Sequence, residues 1–236
     1  MINQHNDSEK RKNNILNQSR KHTLKEKIDS FIFGKLIDQP RWELEKVLIG
    51  HVNSVLDLGC GSHSDIGYFK KQLERTVGVD LFLPSLNNSR ENQFHHEYYK
   101  IDILSAAEYF GENSFDCVVA LDVIEHLEKT DGLRLLDQME TIARKKVIIF
   151  TPNGFLEQKP FDGNEWQRHV SGWEIDEMRQ MGFDIIGING WKPLRGPRAR
   201  ITIRPKSFWK RMSYLSELYV TKNPQFAFQI LCVKNL

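Results

Sequence analysis

The sequence contains no run of about 18 apolar residues, so no segment reads as crossing a membrane. The first 24 residues are polar and basic and lack the apolar stretch of a signal peptide, so no secretion signal is read there. Cysteine is scarce: Cys60, Cys117 and Cys232 form an odd set with no C-x-x-C spacing. That excludes a paired disulfide frame or a cysteine zinc site and predicts reduced thiols in a cytoplasmic protein. Net charge is also small, at +2, so there is no global electrostatic case for nucleic acid. Repeats and low-complexity tracts are absent, which leaves an ordinary globular chain. With 236 residues, 40% of them hydrophobic and 27% charged, it suits one soluble α/β domain with an extension and falls short of two full enzyme domains.

What is present is an alternation of strands and helices. Residues 1–50 read as a basic N-terminal extension, partly disordered to about residue 22 and helical from Leu24 to Ile49, with a fresh start at Pro40. The domain proper spans 51–236. Apolar runs predict strands at Ser54–Leu58, Thr76–Asp80, Tyr99–Leu104, Phe115–Leu121, Lys146–Phe150, Phe183–Ile188 and Phe226–Val233. Helices are expected at Asp65–Leu73, from Val123, at Leu133–Arg144, and from Ser171, where Ser171 and Glu174 have capping-box spacing. The fold class that follows is α/β: a Rossmann-like, seven-stranded, mostly parallel sheet with helices on both faces. The last two strands follow one another without a crossover helix, so the final strand is expected to run antiparallel. Residues 191–224 form a basic insertion; Lys192–Arg211 holds Arg195, Arg198, Arg200 and Arg204 among its cations and no acid.

An ordered set of signals lies at the carboxyl ends of four strands, where open α/β sheets bind ligands. The first strand runs into Asp57-Leu58-Gly59-Cys60-Gly61, whose glycines let backbone turn sharply and approach a ligand. Asp80, with Leu81 beside it, ends the second, 23 residues after Asp57, and suits a ribose diol. Asp102 and the main chain of Ile103 suit an adenine edge. Asp57 and the backbone around Leu121, Asp122 and Val123 suit the amino-acid end of a zwitterion.

Val55–Gly61 resembles motif I of the class I S-adenosylmethionine-dependent methyltransferases, and Val77–Asp80 resembles motif II. Asp102-Ile103 resembles the adenine-contacting motif. Phe115–Leu127 and Ile149–Gly154 resemble the fourth-strand and fifth-strand motifs of the branch that contains the ubiquinone-biosynthesis O-methyltransferases. The resemblance covers about residues 50–190 and the last strand. It implies S-adenosyl-L-methionine as cofactor, S-adenosyl-L-homocysteine as product, and a small-molecule acceptor methylated on oxygen, which a glycan or lipid carrier is one way of presenting. One departure is Ser64, where a nicotinamide fingerprint needs a third glycine beside a pyrophosphate. A sulfonium cofactor has no pyrophosphate, so this favours methyl transfer over a dehydrogenase.

An acceptor hydroxyl must lose a proton, and His126 is the first candidate base, with His169 second. The plain alternatives are a capping histidine and a loop hydrogen bond. Glu125 reads first as a solvated acid at a helix start, so no metal is assigned, although the resemblance suggests a divalent metal there. Trp166 and Trp173 are candidates to wall an acceptor pocket or to pack. The basic insertion reads as a solvated flap or as a grip on an anionic acceptor. Nucleic acid is disfavoured as a partner: neither an Asn/Asp-Pro-Pro-aromatic turn nor a Pro-Cys pair occurs. RNA or protein methylation, and non-catalytic cofactor binding, remain the alternative functions.

Overall fold

In the computed structural model, residues 39–160 and 164–236 are described. The expected disorder and the helix over residues 24–36 lie outside the described residues.

A seven-stranded sheet forms the centre. Its strands are β1 (Ser54–Leu58), β2 (Arg75–Val79), β3 (Glu97–Tyr99), β4 (Phe115–Leu121), β5 (Ala143–Pro152), β6 (Asp184–Trp191) and β7 (Ala227–Asn235). Their spatial order is β3-β2-β1-β4-β5-β7-β6. The first five pair in parallel, and β7 runs antiparallel between β5 and β6, as expected for the last strand.

Strand periodicity divides the core in two. Leu56, Val118, Val147 and Cys232 point to one buried cluster, which includes Leu135 and Met139 of α4 (Lys129–Ile142). Their immediate neighbours Val55, Cys117, Ile148 and Leu231 point to the other, which includes Leu44 and Leu48 of α1 (Gln39–Leu48). Successive side chains take opposite faces, so a continuous apolar run marks a strand buried on both.

Several elements depart from the sequence reading. Asp65–Leu73 is two 3-10 turns, Asp65–Tyr68 and Lys70–Gln72, not one helix. The third strand is Glu97–Tyr99, and Ile103–Ser105 beyond it is a 3-10 turn. Besides the helix of the basic insertion, α2 (Leu83–Glu91) and α3 (Ala106–Phe110) escaped the sequence pattern. The helix α5 (Ile175–Gln180) is capped by Glu174 with Glu177, while Ser171 hydroxyl donates to the Ile124 carbonyl instead. The basic insertion is more than a flap: α6 (Lys206–Val220) packs on β6.

That last contact is unusually close. A Cβ on Gly187 of β6 would lie 2.0 Å from the carbonyl oxygen of Val220, the last residue of α6. Backbone cannot yield as a side-chain tip can. Gly187→Ala is therefore expected to destabilise by roughly 1–3 kcal/mol. Thermal melts should show this as a fall of about 2–12 °C. A wild-type melting temperature would mean that α6 is not seated on β6 as described.

Candidate functional site

The chain steps outward from β1 to β2 and β3, then returns to β4 on the other side of β1. Strand order reverses there, and a crevice opens beyond the strand ends. Gly59 and Gly61 leave β1 with φ of +76° and +59°. A Cβ on Gly59 would come within 2.6 Å of Val123, so the first glycine is required by packing as well as by conformation.

Two carboxylates hold this loop. Asp80 accepts from the Gly61 N–H at 2.9 Å through one oxygen and from the Phe82 N–H at 2.7 Å through the other. Burial raises its pKa, and these two donors pull it back. Asp57 is buried. Its Oδ2 accepts from the Ser64 hydroxyl at 2.5 Å and lies 3.2 Å from Nε2 of the buried His95. Ser64 also caps the turn that follows, accepting from the Ile66 N–H. The residue in place of a third glycine thus ties the loop to Asp57. Cys60 is buried beneath the loop, and burial pushes its thiol pKa upward.

Three adjoining cavities meet at the strand ends, and Asp122 lines all three. One, of about 410 Å³, is bordered by Asp57, Gly59, Cys60, Gly61 and Leu121. The second, about 220 Å³, is bordered by Gly59, Gly61, Asp80, Leu81, Asp102, Ile103, Val123, His126 and Trp166. The third, about 320 Å³, is bordered by Glu125, His126, His169 and Gln229. Every cofactor-site residue and both candidate bases nominated from the sequence therefore border this crevice. Of the two tryptophans, Trp166 is on the rim, but Trp173 is fully buried, donating to the Ile124 carbonyl. It packs the core and walls no pocket.

The third cavity holds a titratable cluster. Ile124–His126 forms a 3-10 turn, not the start of an α-helix. Glu125 is not the solvated acid expected: it is 2% exposed, its Oε2 accepts from the Thr151 hydroxyl, and its Oε1 has no partner among the described residues. His126 Nδ1 is 3.0 Å from the Arg168 carbonyl, and His169 Nδ1 is 2.7 Å from that of Leu156. A carbonyl only accepts, so in the neutral rings each Nδ1 carries the proton and each Nε2 keeps a lone pair. The rings meet edge to face at 4.8 Å. One ligand atom from each of Glu125, His126 and His169 lies within 4.8 Å of the others. A carboxylate and two imidazoles steadied by carbonyls make a donor set that fits a divalent cation.

Electrostatics follow from the enclosure. Burial lowers the pKa of His126. Burial, and secondarily the His126 charge, lower that of His169 to about 4. Both rings are neutral near pH 7. Asp122 is pushed to about 7, first by loss of bulk water and then by the Asp65 charge. It still faces the cavity, with φ of +53° and Oδ1 accepting from Gln229 Nε2 at 2.8 Å. Glu125 is sealed, and burial followed by the Asp122 charge raises it well above the usual range. Glu125, the more deeply buried of the two acids, is the one whose charged form the enclosure disfavours more. Gln229, Thr151 and His95 belong to the site and carried no signal in the sequence, since each is a polar residue inside or beside an apolar strand.

The raised Glu125 pKa has a consequence for stability. Between the unfolded value and the raised folded one, the folded state binds a proton that the unfolded state lacks, so stability falls as pH rises through that window. Glu125→Gln, which is neutral throughout, should escape this fall. In chelator-treated protein, its melting temperature should match wild type near about pH 5 and exceed it by about pH 8. Parallel profiles would contradict the buried, protonated acid.

The family described as methyltransferase domain matches residues 56–151. No curated protein matches the sequence. Among solved structures, a SAM-dependent methyltransferase from Archaeoglobus fulgidus is 16% identical, with a TM-score of 0.56 over 87% of this chain and 99% of its own. The methyltransferase domain of bacterial CtHen1 is 18% identical, with a TM-score of 0.53 over 85% of this chain and 100% of its own. The cyclase SpnF is 14% identical, with a TM-score of 0.52 over 83% of this chain and 80% of its own. These likenesses are of fold. The matched domain covers residues 56–151, and the fold around it is that of the solved S-adenosylmethionine-dependent methyltransferases.

Proposed function

We propose that the protein transfers a methyl group from S-adenosylmethionine to a hydroxyl oxygen of a small-molecule acceptor bound in the cavity of Glu125, His126 and His169. A cyclase shares the fold, so the reading rests on the site rather than on the architecture. The observation that carries it is the position of His126, which borders both that cavity and the one lined by Asp80, Asp102 and Ile103.

When bound, S-adenosylmethionine supplies an electrophilic methyl carbon. The chain's residues divide the remaining tasks. The backbone of Gly59 and Gly61 approaches the cofactor, Asp80 accepts from the ribose hydroxyls, and Asp102 with the Ile103 main chain reads the adenine. Leu81 and Val123 border the same cavity, while Asp57, Leu121 and Asp122 face the amino-acid end. His126, neutral with Nε2 unprotonated, accepts the acceptor's proton; His169 orients the hydroxyl. A second reading is favoured by the ligand atoms of Glu125, His126 and His169, which lie within 4.8 Å of one another: the three would hold a divalent cation, whose charge would lower the pKa of an acceptor hydroxyl.

An anionic acceptor group has a seat nearby. A cavity of about 370 Å³ is lined by Arg195, Arg200, Lys206 and Lys210, and Ala199 borders both it and the histidine cavity. Arg195 itself is spent internally, donating to the Ser213 hydroxyl and the Ala199 carbonyl, which leaves Arg200, Lys206 and Lys210 for a ligand. The side chain of Arg198 lies outside the described residues.

A methyl-transfer screen over phenols, sugars, amines and nucleic acids comes first. With an acceptor in hand, His126→Ala should lower kcat by about 10²–10⁴-fold and leave S-adenosylhomocysteine affinity intact. If His126 is a base, chelator should not affect the wild type. If it is a ligand, chelator should abolish turnover, added divalent cation should restore it, and Glu125→Gln should fall with it. Full activity of His126→Ala would contradict both readings. Asp80→Ala should lose about 2–4 kcal/mol of S-adenosylhomocysteine binding by calorimetry. Undiminished affinity there would remove Asp80 from the cofactor site.

A further inference from the structure

The helix α6 is inverted with respect to an ordinary surface helix. Its buried side is small or polar, with Ser213, Glu217 and Val220 against the domain. Its outward side is apolar: Phe208, Met212, Leu215, Leu218 and Tyr219 are all exposed, Leu218 at 71%. At 3.6 residues per turn, Phe208, Met212, Leu215 and Tyr219 fall within an arc of about 60°, and Leu218 adjoins it. Single exposed leucines are ordinary; a continuous stripe along one helix marks a surface that something covers. Exposed Phe226 stacks on Tyr219 and extends the stripe beyond the helix end.

Charge chooses the occupant. Arg211 borders the stripe on α6, Arg204 precedes the helix and Lys222 follows it, all exposed and on a segment whose sole acid, Glu217, is buried; Lys206 and Lys210 lie about 150–170° round the helix from the stripe, at the cavity they share with Arg200. Two such faces would repel each other, so a second copy of this chain is a poor fit. A surface that is apolar below and anionic above fits well: cations meet headgroups while phenylalanine, leucine and tyrosine enter the acyl boundary. At 15 residues, α6 is too short to span a bilayer, and no described helix is long and apolar enough to do so.

We propose that α6 docks the protein flat on an anionic lipid bilayer. This stands apart from the acceptor assignment, and its test needs no turnover. The full chain is sedimented with vesicles of phosphatidylcholine alone and of phosphatidylcholine with about one third phosphatidylglycerol. Wild type should pellet with the second at least about tenfold more strongly than with the first, and less so as salt rises. Leu215→Glu combined with Leu218→Glu should weaken that binding at least about tenfold. Both positions are exposed, so the melting temperature and S-adenosylhomocysteine affinity should stay at wild-type values. Equal binding to both vesicles, or binding undiminished in the double variant, would overturn the proposal. So would a wild-type dimer, seen by light scattering, that the double variant converts to monomer, since the stripe would then be covered by a second copy.

Discussion

The crevice depends on two carboxylates that the protein uses on itself. Asp57 holds Ser64 and lies against His95, and Asp80 holds the Gly61 and Phe82 N–H groups. Between them they fix both ends of a loop whose glycines have left-handed backbone and whose side chains contribute little. A loop of this kind has no packing of its own to hold it, so buried, charge-assisted hydrogen bonds must do so. Asp57 is withdrawn from water at that cost, and the hydrogen bond from the Ser64 hydroxyl offsets part of it. With the loop set, β1 presents backbone rather than side chains to the crevice, and the neighbouring acids can face a ligand.

The other half of the crevice is built from strand ends far apart in sequence. Asp122 ends β4 with a strained backbone and is held by Gln229 of β7, which Asn189 of β6 in turn supports with a donated hydrogen bond at 2.5 Å. Thr151 of β5 fixes Glu125, and the carbonyls of Arg168 and Leu156 fix the two imidazoles. The antiparallel insertion of β7 between β5 and β6 is what brings Gln229 beside Asp122. Sheet topology and site chemistry are thus one construction, and a strained φ at a rim residue persists because its surroundings determine it.

β1 and β4 were legible because they are buried on both faces and read as unbroken apolar runs, and they have the bounds expected of them; β3, half-buried along its length, lies at Glu97–Tyr99 and not at Tyr99–Leu104. The crevice residues were legible because they terminate those runs. What failed was periodicity on marginal segments. In α2, Asn and Ser interrupt the apolar spacing. In α6, the apolar stripe faces outward, so a reading that assigns apolar residues to the core finds no helix there. Glu125 was misjudged because burial of a charged residue depends on tertiary enclosure, here by Thr151 and the loop around Val170, whose N–H donates to the Glu125 carbonyl. Spacing suggested Ser171 as the cap of α5, yet Glu174 has the better geometry and Ser171 serves Trp173 and Ile124.

The central claim is that this crevice is shaped for a sulfonium nucleoside, with Ser64 where a pyrophosphate-binding loop would need glycine. The most direct measurement is thermal melting of the purified chain with S-adenosylhomocysteine and, separately, with NAD. At about one hundred times its dissociation constant, a ligand that binds only the native state adds about 2.7 kcal/mol. For a chain of this size that raises the melting temperature by roughly 5–10 °C. The account predicts such a rise with S-adenosylhomocysteine and none with NAD; a rise with NAD and none with S-adenosylhomocysteine would contradict it.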